Sequence, residues 1–325
     1  MNRYRYFALM CALFAAAPAG LAAAEPQSAQ SYPVKPVRLI VPFSPGGGTD
    51  ILARTLGQQL SQKWGQQVIV DNRAGAGTII GTEVAAKAAP DGYTVLLTNI
   101  ALALNPALRA KLPYDTLKDL SPVVLIASQP NAVAANPALP ANSIKELITL
   151  AKKSSLNYAS SGNGGVGHIS GAMFGLAIGA ELVHIPYKGG GPAAIDLIAN
   201  RVPLAFISLP TVMSYLKSGQ LKVLAITDSK RSAAAPDIPT VSETLPGFTV
   251  DNWVGLLAPA GTPQPVIDKL NADILAIIRL DAVRARLTAH GFDVAGSTPA
   301  QFGQTIRSDM TKYAKVIREA GIRAN

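Results

Sequence analysis

Three glycine-rich runs hold the residues in this chain best suited to chemistry, and the chemistry they suit is the grip of a small anion. The first is Ser44-Pro45-Gly46-Gly47-Gly48-Thr49-Asp50, the second Ser160-Ser161-Gly162-Asn163-Gly164-Gly165-Val166-Gly167-His168, and the third Tyr187-Lys188-Gly189-Gly190-Gly191-Pro192. Each follows an apolar extended run and opens a stretch with helical spacing. Glycine lets backbone approach a ligand closely, and the first N–H groups of a helix, which have no intrahelical partner, favour negative charge. A nucleotide phosphate loop needs a lysine after its last glycine, and a dinucleotide loop needs G-x-G-x-x-G. The first run has neither, and Asp50 stands where a pyrophosphate would approach. A carboxylate is a weaker demand than a triphosphate. Asp50 reads first as a helix cap, and each loop taken alone also reads as a tight turn.

Catalytic and metal chemistry find less to work with. The histidines are His168, His184 and His290, none in H-E-x-x-H or another close-spaced ligand pattern, so no metal or cofactor is expected. No G-x-S-x-G elbow is present. A hydrolase would have to pair Ser161 or Ser208 with His168, with no evident third group to orient the base. His168 itself reads as a polar residue at a helix start, and Tyr187 and Trp253 as core aromatics that could also wall a pocket.

The elements that must position these loops alternate. Val37–Val41 reads as a buried strand, and Leu52, Leu56 and Leu60 mark one helical face after the first loop. Val68–Val70, a helix carrying Ile80, Val84 and Ala88, and a strand Tyr93–Thr98 repeat the device. Two extended runs, Val123–Ala127 and Ala132–Ala135, flank Pro130-Asn131, a plausible crossing between domains. Beyond it lie a helix opened by Ser143-Ile144-Lys145-Glu146, the strands Asn157–Ser160, Glu181–Pro186, Val202–Ile207 and Val223–Thr227, and a helix carrying Ile169, Met173 and Leu176. Gly255-Leu256-Leu257-Ala258-Pro259 reads as a second crossing. The remainder is helical: Pro263 to about Ile278, Asp281–Ala289, and a helix capped at Thr298-Pro299 with Phe302, Ile306, Met310, Tyr313 and Ile317 on one side. The alternation predicts mainly parallel sheets with helices on both faces.

Residues 1–24 have the pattern of a cleaved secretory signal, with Arg3 and Arg5 ahead of an apolar run and Ala22-Ala23-Ala24 before Glu25. The only cysteine, Cys11, lies inside it, so the mature chain of about 300 residues is expected to have no thiol and to depend on its core, which a 49% hydrophobic content supports. Removing the signal takes two of the 29 basic residues and leaves 27 against 20 acidic, a charge of +7. These charges are scattered and aromatics are 6%, which argues against nucleic acid as a partner.

Taken together, VRLIVPFSPGGGTDILAR, VIVDNRAGAGTIIG, AKAAPDGYTVLL, NYASSGNGGVGH, IPYKGGGPAAIDL and LLAPAGTPQPVIDKLN resemble the extracytoplasmic solute receptors of tripartite tricarboxylate transporters, the Bug family. The likeness runs from about Tyr32 to Ile322. It implies a periplasmic binding protein of the type II, Venus-flytrap kind: two α/β domains, each a mixed sheet flanked by helices, closing about a two-strand hinge. The domains expected are 32–128 with 254–325, and 129–253. The resemblance also implies a monomer that holds a di- or tricarboxylate or an aromatic acid and delivers it to a membrane permease. In this family the acid is held by main-chain N–H groups and ordered waters rather than by a paired arginine. The matching ligand-binding positions are Ser44, Pro45, Gly46, Gly47, Asp50, Thr98 and Asn99 in one domain, and Ser161, Gly162, Asn163, His168 and Ser208 in the other. The chain departs from the family pattern at Gly75-Ala76-Gly77-Thr78-Ile79-Ile80-Gly81, where Thr78 and Ile79 replace a glycine and a polar residue, and at Gly165, where a serine is usual. Both lower the polarity around the site and favour an aromatic or less polar acid. A ligand-presenting sensor for a membrane signalling partner shares these features.

Overall fold

The computed structural model describes residues 32–319 and 321–322; the signal sequence read in residues 1–24, with Cys11, lies outside them. Strands Val37–Val41 (β1), Val68–Asn72 (β2) and Thr94–Asn99 (β3) lead into helices Gly48–Trp64 (α1), Ile79–Ala86 (α2) and Ala101–Leu108 (α3). Leu120–Ser128 (β4) then carries the chain out of this first unit, and Asn131–Ala135 (β5) begins the second. There Ile144–Ala151 (α4), Leu156–Ser160 (β6), Val166–Ile178 (α5), Leu182–Pro186 (β7), Gly190–Ile198 (α6), Leu204–Ser208 (β8), Leu209–Lys217 (α7) and Lys222–Ile226 (β9) follow. Trp253–Pro259 (β10) returns to the first unit, which Gln264–Arg279 (α8), Asp281–Ala289 (α9), Asp293–Val294 (β11) and Pro299–Glu319 (α10) complete.

The result is a two-domain α/β fold built on two mixed sheets, ordered β11-β4-β10-β3-β1-β2 and β7-β6-β8-β5-β9. The βαβ units are parallel, as the alternation requires: β1 pairs with β2 and β3, and β6 with β7 and β8. The mainly parallel sheets read from the alternation become mixed because strands next to the crossings arrive from the other domain. β10 inserts antiparallel between β3 and β4, and β5 runs antiparallel to β8 and β9. Gly255–Pro259 is therefore the buried interior of β10, and the return crossing lies before Trp253.

Strand alternation decides the core. Ala132, Ala134, Ala205 and Ile207 face one layer of helices, and Val133, Ala135, Leu204 and Phe206 the other. In the first sheet Leu39 and Val41 point to one side and Ile40 to the opposite. The C-terminal helix α10 opens with the expected cap, the Gln301 N–H donating to the Thr298 hydroxyl at 3.2 Å and the Thr298 N–H to the Gln301 side chain at 2.9 Å. Its buried Phe302, Ile306, Tyr313 and Ile317 pack against α3.

Two crossings join the sheets, Gln129-Pro130 and the segment 227–252. They are bonded to each other: the Gln129 N–H donates to the Asn252 carbonyl and the Thr227 N–H to the Asn131 carbonyl, each at 2.8 Å. Asp228 ties both sides, accepting from the Asn131 N–H and the Ser128 hydroxyl at 3.2 Å.

Candidate functional site

The three glycine loops meet in the cleft between the sheets. In the first, Gly48 is the first helical residue of α1, and its N–H donates to the Thr211 hydroxyl on α7 at 3.0 Å. Asp50 is turned back: its carboxylate accepts from the Gly46 N–H at 3.0 Å, from Arg54 at 2.9 Å and from Asn72 at 2.9 Å. The carboxylate thereby ties the loop ahead of α1 to the helix and to β2, while the N-cap position, Gly47, has no side-chain cap. Asp50 lines neither of the cavities described below.

The second loop is held from behind. The Gly164 N–H donates to Nδ1 of His168 at 3.1 Å, and the His168 ring stacks on His184 with centroids 4.1 Å apart. Burial pushes the His168 imidazole down to about 4, and burial with the neighbouring ring pushes His184 down to about 3, so both are neutral at physiological pH. His184 Nε2 lies 2.6 Å from the Ser160 hydroxyl, which in turn is bonded to both the carbonyl and the N–H of Gly162. The hydroxyl paired with an imidazole is thus Ser160, fully buried, whereas Ser208 bonds Thr211 at 2.8 Å.

The third loop closes against the first. The N–H and hydroxyl of Ser44 both donate to the Lys188 carbonyl, at 3.0 and 2.8 Å. Behind Ser44 and Pro45, Gly191 approaches so closely that a Cβ there would lie 2.5 Å from the Pro45 carbonyl oxygen. Ser44, Pro45 and Gly46 thus form one lip of a closed cleft and residues 188–191 the other.

Two adjoining cavities lie within. The inner one, about 20 Å³, is lined by Gly47, Gly48 and Thr49 of the first domain, by Asn99, and by Ser161, Val166, Gly190, Ser208 and Thr211 of the second, with Gln129 and Asn252 from the crossings. It is the size of about one water or one ligand oxygen. Four helices present their N-terminal ends here: α1 at Gly48, α5 at Val166, α6 at Gly190 and α7 at Ser208. No acidic side chain is in the lining, and the first turns of α5, α6 and α7 carry none, so their partial positive charges are uncompensated, whereas Asp50 stands in the first turn of α1. Gln129 Oε1 and both amide atoms of Asn252 are buried without a hydrogen-bond partner in the protein, a state that calls for a polar guest. The outer cavity, about 260 Å³, lies between the Gly75–Thr78 loop and residues 161–165, walled by Phe43 and Tyr187 and bordered by Arg109 and Lys188. Burial and the Asp196 carboxylate push the Tyr187 phenol up to about 12, so it stays protonated and donates to Asp196 at 2.8 Å.

Of the positions named from sequence, Gly47, Asn99, Ser161, Gly162, Asn163 and Ser208 line these cavities. Thr98 is buried within β3 with its hydroxyl unpaired in the protein, and His168 supports its loop from the far side. Sequence reasoning missed Phe43, Arg109, Gln129, Thr211 and Asn252. Gln129 and Asn252 were accessible in principle, since both sit at the crossings where a two-domain cleft has its floor.

A closed cleft between two α/β domains, with helix N-termini directed into it from both sides, defines the class of periplasmic solute-binding proteins. The family follows from comparison with known proteins. The model of the tripartite tricarboxylate transporter family receptor matches residues 52–322. Protein BugT of Bordetella pertussis is 38% identical over 326 residues, covering 99% of both chains. Among solved structures, periplasmic binding protein BugD shares 34% identity at a TM-score of 0.86, covering 90% of this chain and 100% of the other. R. palustris Rpa4515, solved with adipate, shares 33% at 0.87, covering 90% and 99%. The chain belongs to the tripartite tricarboxylate transporter receptor family, to which the Bug proteins belong, and is a solute-binding receptor rather than a member of an enzyme family.

Proposed function

We propose that this receptor captures a small organic carboxylate outside the cytoplasm and delivers it to the membrane permease of a tripartite tricarboxylate transporter. The observation that carries the reading is the convergence of four helix N-termini on one chamber with no acidic side chain in its lining. A carboxylate with one oxygen seated there accepts from the main-chain N–H groups around Gly47 and Ser161 and from the Asn252 amide nitrogen, while Gln129 Oε1, itself an acceptor, reaches it through a bridging water. The body of the ligand occupies the outer cavity. Adipate in the similar Rpa4515 is a carboxylate of suitable kind. The two domains, 32–128 with 254–325 and 129–253, close about the paired crossings, and the bonds from Ser44 to Lys188 seal the cleft.

A thermal-shift panel of mono-, di- and tricarboxylates and aromatic acids tests this. A true ligand at a hundred times its Kd adds about 2.7 kcal/mol of stability and raises Tm by several degrees. A panel in which no acid raises Tm would refute the proposal. Mass spectrometry of the small molecule released on denaturing freshly purified protein would identify the natural guest.

A further inference from the structure

The helix N-termini of the inner chamber account for one carboxylate, but the outer cavity has a charge of its own. Arg109 ends α3 and lies on the wall of that cavity, facing the second domain's loop. One terminal nitrogen of its guanidinium reaches the carbonyls of Ala76 and Asn163 at 3.3 and 3.5 Å, both long contacts, and its Nε is buried without a partner in the protein. Among the described residues Arg109 makes no ion pair. Lys188 adds a second basic residue to the lining, which contains no Asp or Glu.

Closure brings this about. Ala76 belongs to the first domain and Asn163 to the second, so the guanidinium reaches the second domain only when the cleft is shut. Gly77 makes the approach possible, because a Cβ there would collide with the Asn163 carbonyl and crowd the guanidinium. A half-buried cation at a domain interface, with carbonyl oxygens and the Tyr114 phenol near it but no carboxylate, is stabilised by an anion with matching fork geometry. The inner and outer cavities share Phe43 and Ser161 and so adjoin.

We propose that Arg109 is a specificity-determining residue that reads a second anionic group at the far end of the ligand. The inference rests on the carboxylate-receptor reading and deepens it. The inner chamber takes the first carboxylate through backbone donors, Phe43 and Tyr187 flank the ligand body, and the Arg109 guanidinium takes the distal anion.

Isothermal titration of the full mature protein with length-matched pairs tests this: pentanoate against glutarate, hexanoate against adipate, and benzoate against terephthalate. In at least one pair the wild type binds the diacid at least tenfold more tightly. Arg109→Gln weakens that diacid about tenfold to a hundredfold and leaves its monoacid partner within about twofold, as expected for loss of one charged hydrogen-bonded pair. Arg109→Lys, which keeps the charge and guards against a folding artefact, falls between them. Equal loss for monoacid and diacid, no loss for either, or a wild type that binds acids without preferring a diacid would overturn the role of Arg109. If no carboxylate binds the wild type, the failure lies instead with the receptor reading itself.

Discussion

Two stacked imidazoles, His168 buried and His184 half-buried, support the second glycine loop, and their neutrality couples that loop to pH. His168 accepts the Gly164 N–H through Nδ1, so protonating that nitrogen removes the bond that shapes the loop. The folded values of about 4 for His168 and about 3 for His184 lie below the ordinary histidine value of about 6.5. The unfolded chain therefore binds more protons across that interval. The stability these residues contribute is complete above pH 6.5 and is lost as pH falls toward 4. Urea unfolding at pH 7.5 and 4.5 checks this. The wild type should lose on the order of 2 kcal/mol more than His184→Gln over that range; parallel pH profiles would refute the coupling. Asp50 shows the same contrast between residue type and role. Its position after a glycine loop left cap or ligand contact open, and the geometry commits its oxygens to Gly46, Arg54 and Asn72.

At the scale of elements, the glycine loops pack against each other across the cleft. Gly191→Ala places a methyl group against the Pro45 carbonyl, so the lips cannot close as they do here. Its expected signature is a ligand affinity at least tenfold weaker, with unliganded Tm within a few degrees of wild type; unchanged affinity would show that the lips need not meet. The crossing carries a second expectation. Burial, with the Asp251 and Asp293 charges nearby, pushes Asp228 up to about 7. Its folded value lies above the unfolded one, so its stabilisation is full below about pH 4 and is lost as pH rises through 7. Asp228→Asn should therefore be more stable than wild type at pH 8, by on the order of 1–3 kcal/mol, and indistinguishable from it near pH 4. A gain of equal size at both pH values would refute that origin. Helices α3 and α7 escaped the sequence reading for a physical reason. Ala101–Leu108 is apolar nearly throughout and buried on most sides, so it lacks the 3.6-residue contrast that betrays a surface helix, and Pro106 lies within it. Leu209–Lys217 carries Pro210 in its first turn directly after a strand, so strand and helix run together without a polar break.

For the molecule as a whole, the geometry is that of a shut cleft whose closing bonds run from Ser44 to Lys188 and from Gly48 to Thr211. A carboxylate that raises Tm should also shift the population toward this state. Small-angle scattering then shows a radius of gyration that falls on addition of that ligand. A radius unchanged under saturating ligand would count against hinge closure.

The amino-acid sequence by itself determined the βαβ units, the glycine loops between strand and helix, and the absence of a nucleotide grip, because periodicity, glycine and the missing lysine are local properties. It also carried the family likeness, since six ordered motifs survive without any knowledge of contacts. The mixed sheets were decided by chain return: β10 comes back from the other domain and must run antiparallel between β3 and β4. Only the tertiary structure put Gln129, Asn252 and Arg109 beside residues far from them in the chain. A side chain's electrostatic role depends on which charges and dipoles lie within a few ångströms of it, and folding, not sequence spacing, sets those distances.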